Sequence, residues 1–239
     1  MELSKILETF FKTNVLKMTD DISKICYHSR MKLYMASSNE HKRKEMRELL
    51  PSFDIFIPAD EGIFFNPEES GSSFMENSMI KARALFDIVH APVIADDSGL
   101  CVDALKGEPG IFTSRYAGAE FPHGRPDGKK ISQRNQNRLL IEQLNKTGSS
   151  DRSCRYVCSI VLFFSPDRFF IAQETFEGKI IDSIEKQAGS GGFGYDPIVF
   201  LPEYGKTVAQ ITAEEKNKIS HRGKAIQAIL SLIEKSEKL

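Results

Sequence analysis

Two adjacent carboxylates, Asp96 and Asp97, follow the apolar run Val93-Ile94-Ala95 and precede Ser98-Gly99. Burying one carboxylate beside apolar strand residues is costly, and burying two is worse unless cations neutralise them. Mg²⁺ suits such a pair, because it prefers carboxylate and phosphate oxygens. Asp, Ser and Gly are equally the residues of a solvated turn. The segment alone leaves both readings open.

Other segments carry complementary chemistry. Ser37-Ser38-Asn39-Glu40-His41-Lys42 stands at a predicted strand-to-helix turn. Backbone N–H groups there either bind an anion or are capped by Ser37, Ser38 or Asn39. Lys42 falls in the first helical turn, against the helix dipole, a penalty that a bound phosphate would offset. Lys81 lies on a second predicted helix, 73–89, opened by the capping-box pattern Ser73-x-x-Glu76. At about 100° per residue, Met75, Met79, Ala82, Phe86 and Val89 form one apolar face of it. Phe74, Leu85 and Ile88 form another, which also carries Asn77 and Lys81, and Glu76, Arg83 and Asp87 are left for a wet edge. A half-buried ammonium needs an anion, either a substrate phosphate or the Asp pair, unless it snorkels to solvent. Glu68 and Glu69 precede that helix, where they favour its positive end or complete a metal site with Asp96 and Asp97.

Gly189-Ser190-Gly191-Gly192-Phe193-Gly194 matches G-x-G-x-x-G, but Tyr195-Asp196-Pro197 leads into a strand-like Ile198-Val199-Phe200 rather than a helix. The dinucleotide reading therefore fails. The glycines allow close backbone approach, and Phe193 and Tyr195 offer flat faces for a base, or pack within a tight turn. Near the C-terminus, Lys216 precedes Ser220-His221-Arg222-Gly223. Ser220 reads as an N-cap, and His221 and Arg222 supply donors for a carbonyl acceptor, or belong to a solvated charged loop.

The elements that must position these residues alternate. Strands are predicted at 31–36, 53–57, 92–95, 156–164, 169–176 and 198–201. Helices are predicted at 40–50, 73–89, 131–144 and 225–233, with a second capping-box match at Thr212–Glu215. Mixed order argues an α/β fold with a mixed sheet. Residues 118–130 read as a mobile polar loop. The chain has 239 residues and a net charge of −1, so it lacks the basic field that attracts nucleic acid. No apolar run approaches the roughly 20 residues that span a bilayer. Cys154 and Cys158 share a predicted strand face with Tyr156, which argues reduced core thiols and a cytoplasmic setting. Residues 1–30 carry Leu3, Leu7, Phe10, Phe11, Val15, Met18, Ile22 and Ile25 at near-helical spacing, without the features of a secretory signal. Two readings stand for them: an appended amphipathic helix, or an extension of a protein that starts at Met31. The nucleotide-handling domain is then 31–239.

From about Met31 to Leu232 the chain resembles the inosine triphosphate pyrophosphatase family, the non-canonical purine NTP pyrophosphatases. The likeness rests on Ala36-Ser37-Ser38-Asn39 with Lys42 and Glu45, on Glu69-Ser70-Gly71 with Phe74-x-Glu76-Asn77 and Lys81-Ala82, and on Ala95 to Leu100. It continues through Pro109-Gly110-Ile111, Ser114-Arg115-Tyr116-Ala117-Gly118, Gly191 to Pro197 and Ser220-His221-Arg222-Gly223. The resemblance implies an elongated mixed sheet flanked by helices, two lobes with the active site in the cleft between them, and a homodimer. It implies Mg²⁺-dependent hydrolysis of ITP, dITP and XTP to the monophosphate and pyrophosphate. It casts Asp97 as proton acceptor and metal ligand, Glu69 as a second metal-site carboxylate, and Lys42 and Lys81 as phosphate contacts beside Ser37, Ser38 and Asn39. Asn77, Ser98 and Arg115 match substrate positions, and Phe193, Gly194, Tyr195, Asp196, Lys216, His221 and Arg222 match nucleoside recognition. Ser38 stands where glycine is usual, and 120–130 is longer and more basic than the usual acidic stretch.

Under that reading Lys42 and Lys81 take up developing charge, Asp97 orients or deprotonates water, and Asp96 tunes it. Hypoxanthine and xanthine present a 6-oxo acceptor to His221 and Arg222, whereas adenine presents a donor and leaves protein donors unpaired, at about 1–3 kcal/mol each. Two other readings are a pyrophosphatase for other modified nucleotides and a catalytically silent nucleotide-binding regulator.

Overall fold

The computed structural model describes residues 31–236. The segment 1–30, with both readings of it and Cys26, lies outside the described residues. Among the described residues, seven strands form one mixed sheet in the order β2-β1-β3-β4-β5-β6-β7. Strand β1 (Met31–Met35) runs parallel to β2 (Phe53–Phe56) and to β3 (Val93–Val102). The remaining pairs, through β4 (Ser153–Ser165), β5 (Arg168–Ile180), β6 (Val199–Leu201) and β7 (Lys206–Thr207), are antiparallel.

The helices divide the sheet into two lobes. Helix α1 (Glu40–Leu49) and α5 (His221–Ser236) cover one face through Met46, Ala225, Ile226 and Ile229, against Leu33, Met35, Ile94 and Ile160. Helix α2 (Phe74–Val89) covers the other face, where Ala82 and Leu85 meet Tyr34, Val93, Val161 and Phe163. Each Val, Leu, Ile, Phe or Met among them contributes about 1.5–3 kcal/mol on burial. With both faces covered, Leu33, Tyr34 and Met35 of β1 are all buried. The second lobe gathers the far ends of β3, β4 and β5 with α3 (Gln133–Lys146), through Leu100, Val102, Leu140, Leu144, Cys154 and Phe176. The long central strands serve both cores, and a cleft opens where they pass from one to the other.

Several boundaries differ from expectation. Strand β3 does not stop at Ala95. It pairs with β4 residue by residue from Val93↔Phe163 to Val102↔Cys154, so Asp96, Asp97, Ser98 and Gly99 are strand residues, not a turn. Gly99 is required there, since a Cβ would lie 2.3 Å from the Gly110 carbonyl oxygen and 2.9 Å from Phe74 Cε1. Helix α2 faces a single sheet face and buries one stripe drawn from both predicted faces, with Phe74 and Leu85 of one beside Ala82 of the other and with Met79, Phe86 and Val89 packed on the same core. Met75 (43% exposed) and Ile88 (50%) face outward, while Phe74, Asn77, Ser78, Lys81, Ala82 and Leu85 face in. Ser73 caps α2, accepting from the Glu76 N–H, but the Glu76 carboxylate reaches back to the Ser72 N–H, at 2.7 Å. The Thr212/Glu215 capping box opens α4 (Ala213–Ile219), and α5 begins at His221, four residues before the predicted 225. Residues 118–130 form a succession of turns. Cys154 and Cys158 are buried, free thiols.

Candidate active site

Because β3 is extended through the carboxylates, Asp96 and Asp97 face opposite sides of the sheet. Asp96, 1% exposed, turns toward α1 and α5. Its Oδ2 accepts from Arg222 Nε at 2.7 Å and lies 3.1 Å from Cys158 Sγ. Its Oδ1 accepts from Lys42 Nζ and, at 3.0 Å, from Ser98 Oγ. Burial alone would raise the Asp96 pKa, but Arg222 and Lys42 hold it well below the carboxylate range. The same surroundings keep the Cys158 thiol protonated: burial, then the Asp96 charge, push its pKa far up.

Asp97 turns toward α2. Its Oδ1 accepts from Lys81 Nζ at 2.6 Å, and its buried Oδ2 has no hydrogen-bond partner. Burial raises the Asp97 pKa against the opposing pull of Lys81 and Lys42. Lys81 Nζ also lies 3.2 Å from Glu69 Oε1 and donates to the Asp96 carbonyl at 2.9 Å. Burial would depress this ammonium, but Asp97 and Glu69 outweigh it and its pKa rises. Lys81 is therefore a paired internal cation, not a snorkelling one. The two carboxylates bond to different side chains, Asp96 to Arg222 and Lys42 and Asp97 to Lys81, with Asp96 buried beneath the site.

These groups open into a cleft of about 600 Å³ lined at this end by Ala36 through Asn39, Lys42, Glu69, Lys81, Asp97 and Ser98. The turn before α1 is built by capping: Asn39 Oδ1 accepts from the N–H groups of His41 at 3.0 Å and Lys42 at 3.3 Å, and Ser37 Oγ accepts from Asn39 N–H. Two predicted site residues lie elsewhere. Asn77 is buried behind the lining, where its Oδ1 accepts the Gly71 N–H at 2.9 Å and fastens the segment after Glu69 to α2. Arg115 is exposed, with its guanidinium 4.9 Å from the centre of the Phe112 ring, off the cleft wall.

The other end of the cleft is aromatic and charged. Phe193 stacks on His41, centroids 5.2 Å apart, with Lys216 Nζ 5.0 Å from its ring centre. Tyr195 packs into the second core and donates its hydroxyl to the Thr113 carbonyl at 3.2 Å, so its ring is not a free stacking face. Gly194 offers its carbonyl to Asn137 Nδ2 at 3.5 Å. Asp196 is ringed by donors: Tyr156 hydroxyl at 2.9 Å on Oδ1, then the Phe193 N–H at 2.8 Å and Lys216 Nζ at 2.9 Å on Oδ2. Lys216 Nζ also donates to Glu45 Oε1 at 2.8 Å. His221 stacks on Tyr156 at 5.0 Å, with a buried Nδ1 that has no partner, and burial followed by the Arg222 charge drives its pKa well down, leaving it neutral. Arg222 donates to Asp96, Glu45 and, at 3.0 Å, Ser98 Oγ. These bonds brace the guanidinium in the cleft lining.

The sequence pattern of the Ham1 family matches residues 33–232. The chain belongs to the Ham1 family. A dITP/XTP pyrophosphatase of Treponema denticola is 50% identical over 206 residues, which cover 86% of this chain and 100% of that protein. Among solved structures, a HAM1 protein from Coxiella burnetii superposes with a TM-score of 0.72 at 35% identity, over 85% of this chain and 98% of its own. The Staphylococcus aureus Ham1 protein gives 0.71 at 34% identity, over 86% and 99%.

In this Ham1-family chain the metal question turns on Asp97. Among the described residues no three His, Cys, Asp or Glu side chains gather into a cage. Mg²⁺ needs none, since it takes one or two carboxylates and completes its shell with phosphates and water. The partnerless Asp97 Oδ2, with Glu69 held beside it by a shared lysine, is a hard-oxygen donor set that fits such an ion. Three residues around the cleft were given no role by the sequence reading. Glu45 bridges Lys216 and Arg222, His41 covers Phe193, and Tyr156 joins Asp196 to His221. The i, i+4 spacing of His41 and Glu45 on one helix face was the available signal for two of them.

Proposed function

We propose that this chain hydrolyses non-canonical purine nucleoside triphosphates, ITP, dITP and XTP, to the monophosphate and pyrophosphate with Mg²⁺, and so cleanses the nucleotide pool. The observation that carries the reading is the single ammonium, Lys81, shared by Asp97 and Glu69 at one end of a cleft whose other end is aromatic. The name of the Treponema denticola relative supports the substrate class.

The chain's own residues account for the chemistry. Water attacks the α-phosphorus, its oxygen forms the new P–O bond, and the bond to the β-phosphate oxygen breaks to release pyrophosphate. Asp97 takes the proton: its pKa sits above that of an ordinary carboxylate, which makes it a better base. Lys81 fixes Asp97 through Oδ1 and leaves Oδ2 without a protein partner. Lys42 and Lys81 meet charge on the triphosphate. Glu69 and Asp97 would hold Mg²⁺, which neutralises phosphate charge and polarises water when bound. At the far end, neutral His221 and Lys216 supply donors to a 6-oxo purine, a contact that adenine's amino group cannot make.

The working form is a homodimer in a reducing cytoplasm, where free Cys154 and Cys158 persist. No helix among the described residues is long and apolar enough to cross a membrane. The test is pyrophosphate release from a nucleotide panel with Mg²⁺ and with chelator, alongside light scattering for the dimer. Preferential turnover of dITP, ITP and XTP, lost on chelation, is expected. Preference for a modified pyrimidine points to another pyrophosphatase, and tight binding without release points to a regulator; either overturns the proposal.

A further inference from the structure

The floor at the base-reading end contains one residue that neither the phosphate chemistry nor the donor logic uses. Tyr156 sits on β4 between Cys154 and Cys158, on the strand face that passes from one core to the other. It is 8% exposed, and it lines the cleft. Its ring lies parallel to His221, centroids 5.0 Å apart and planes within 12°. Its hydroxyl donates to Asp196 Oδ1 at 2.9 Å. One side chain therefore touches two groups from different parts of the chain.

Asp196 has no spare freedom in this arrangement. Its Oδ2 is occupied by the Phe193 N–H and by Lys216 Nζ. The Tyr156 hydroxyl is the donor on Oδ1, in a residue 3% exposed. Without that hydroxyl a buried anionic oxygen loses its partner, and the carboxylate must rotate to recover one. Rotation moves Lys216 and the Phe193 backbone, which are tied to the same carboxylate. The ring makes the second half of the arrangement. His221 is neutral, and its buried Nδ1 has no partner among the described residues, so the stack on Tyr156 is the ring contact that sets the plane of its imidazole.

We propose that Tyr156 is a positioning residue for base recognition: its hydroxyl sets the rotamer of Asp196, and through it Lys216 and Phe193, while its ring sets the plane of His221. This inference rests on the functional reading above. It assigns the purine end of the cleft a support that acts on affinity and selectivity and leaves the phosphate end alone.

Tyr156→Phe keeps the ring and removes the hydroxyl. Its KM for dITP and XTP rises about tenfold, the fold-change of one lost hydrogen bond to a charged group, with kcat changed much less. The preference for dITP over dATP narrows by a similar factor. Tyr156→Leu removes the stack as well and widens the loss, and circular dichroism reports whether each variant is folded. A folded Tyr156→Phe protein with wild-type KM and preference overturns the inference while the functional reading stands. So does an equal loss for every triphosphate through kcat, the mark of a general structural defect. Should the Phe variant not fold, a dIMP titration of the wild-type protein followed by the tyrosine's ultraviolet resonance Raman bands decides: a shift on binding supports the role, and silence overturns it. Wild-type protein that neither hydrolyses dITP and XTP nor binds their monophosphates overturns the functional reading and the inference together.

Discussion

Asp96 and Asp97 are neighbours in the chain, yet they belong to opposite faces of one strand and to different partners. Asp96 is locked by Arg222 and Lys42, and Asp97 is held by Lys81 on one oxygen only. Structure and chemistry are thereby separated at adjacent positions. Asp97→Asn removes the base and leaves the Asp96 network untouched. It should lower kcat by at least about a thousandfold, as the loss of an essential group does, while the thermal midpoint moves by only a few degrees. Pyrophosphate release and a melting curve on the same preparation check both halves. Wild-type turnover would defeat the assignment of Asp97.

Arg222 presents the reverse case. The guanidinium is 1% exposed and is shared by Asp96 and Glu45. Arg222→Leu leaves Asp96 to Lys42 and Glu45 to Lys216 alone, and breaking a buried pair costs up to about 3–5 kcal/mol. Urea denaturation should show that loss, and Arg222→Leu combined with Asp96→Leu should recover part of it. A single variant with the wild-type urea midpoint would show that the network is not a brace.

Acid should weaken the fold in two stages. His221 is kept neutral by burial and by Arg222, so its folded pKa lies below the unfolded value of about 6.5. Its contribution is complete above that pH. As pH falls below it, the unfolded chain gains a proton that the folded one refuses, and stability declines. Asp96 and Glu45 act lower on the scale. In both, the cations outweigh burial and depress the folded pKa. Their contribution is present above the unfolded values of about 4 and is lost as pH falls through the folded ones. Urea midpoints should fall gently as pH drops below about 6.5 and steeply only below about pH 4, and His221→Gln should flatten the first stage. A constant midpoint between pH 7 and 5 in the wild-type protein would contradict the buried neutral imidazole.

What the sequence revealed and what it hid follow from range. The N-cap of α2, the capping box of α4 and the need of Lys81 for an anion are local or nearly so, and the structure bears them out. The Asp96–Gly99 stretch has turn composition, and its strand character comes from pairing with Val157–Ile160, some sixty positions on, which no local pattern encodes. The two apolar faces of α2 are visible, but periodicity cannot say where between them the single buried stripe falls, and Met75 of one face and Ile88 of the other lie outside. Tyr156 looked like one more core residue between two cysteines. The Glu45–Arg222 bridge spans 177 positions and becomes visible only when the first and last helices meet on the sheet.

Gly192 offers a last test of the base-reading end, because two effects of a methyl group can be told apart there. Its φ of +69° is left-handed, and a Cβ would lie 2.0 Å from Asp196 Oδ2. Gly205 has a similar φ of +60°, with nothing within 4 Å of the added atom. Both alanine variants carry the backbone strain, of order 1 kcal/mol. Only Gly192→Ala collides with the carboxylate that holds Lys216 and the Phe193 N–H. Gly205→Ala should therefore lose a little stability and keep its KM for dITP. Gly192→Ala should raise that KM at least about tenfold, because the displaced carboxylate gives up charge-assisted hydrogen bonds. Equal KM values for the two variants would mean that Asp196 does not organise the site, and that the ring of donors around it serves only the fold.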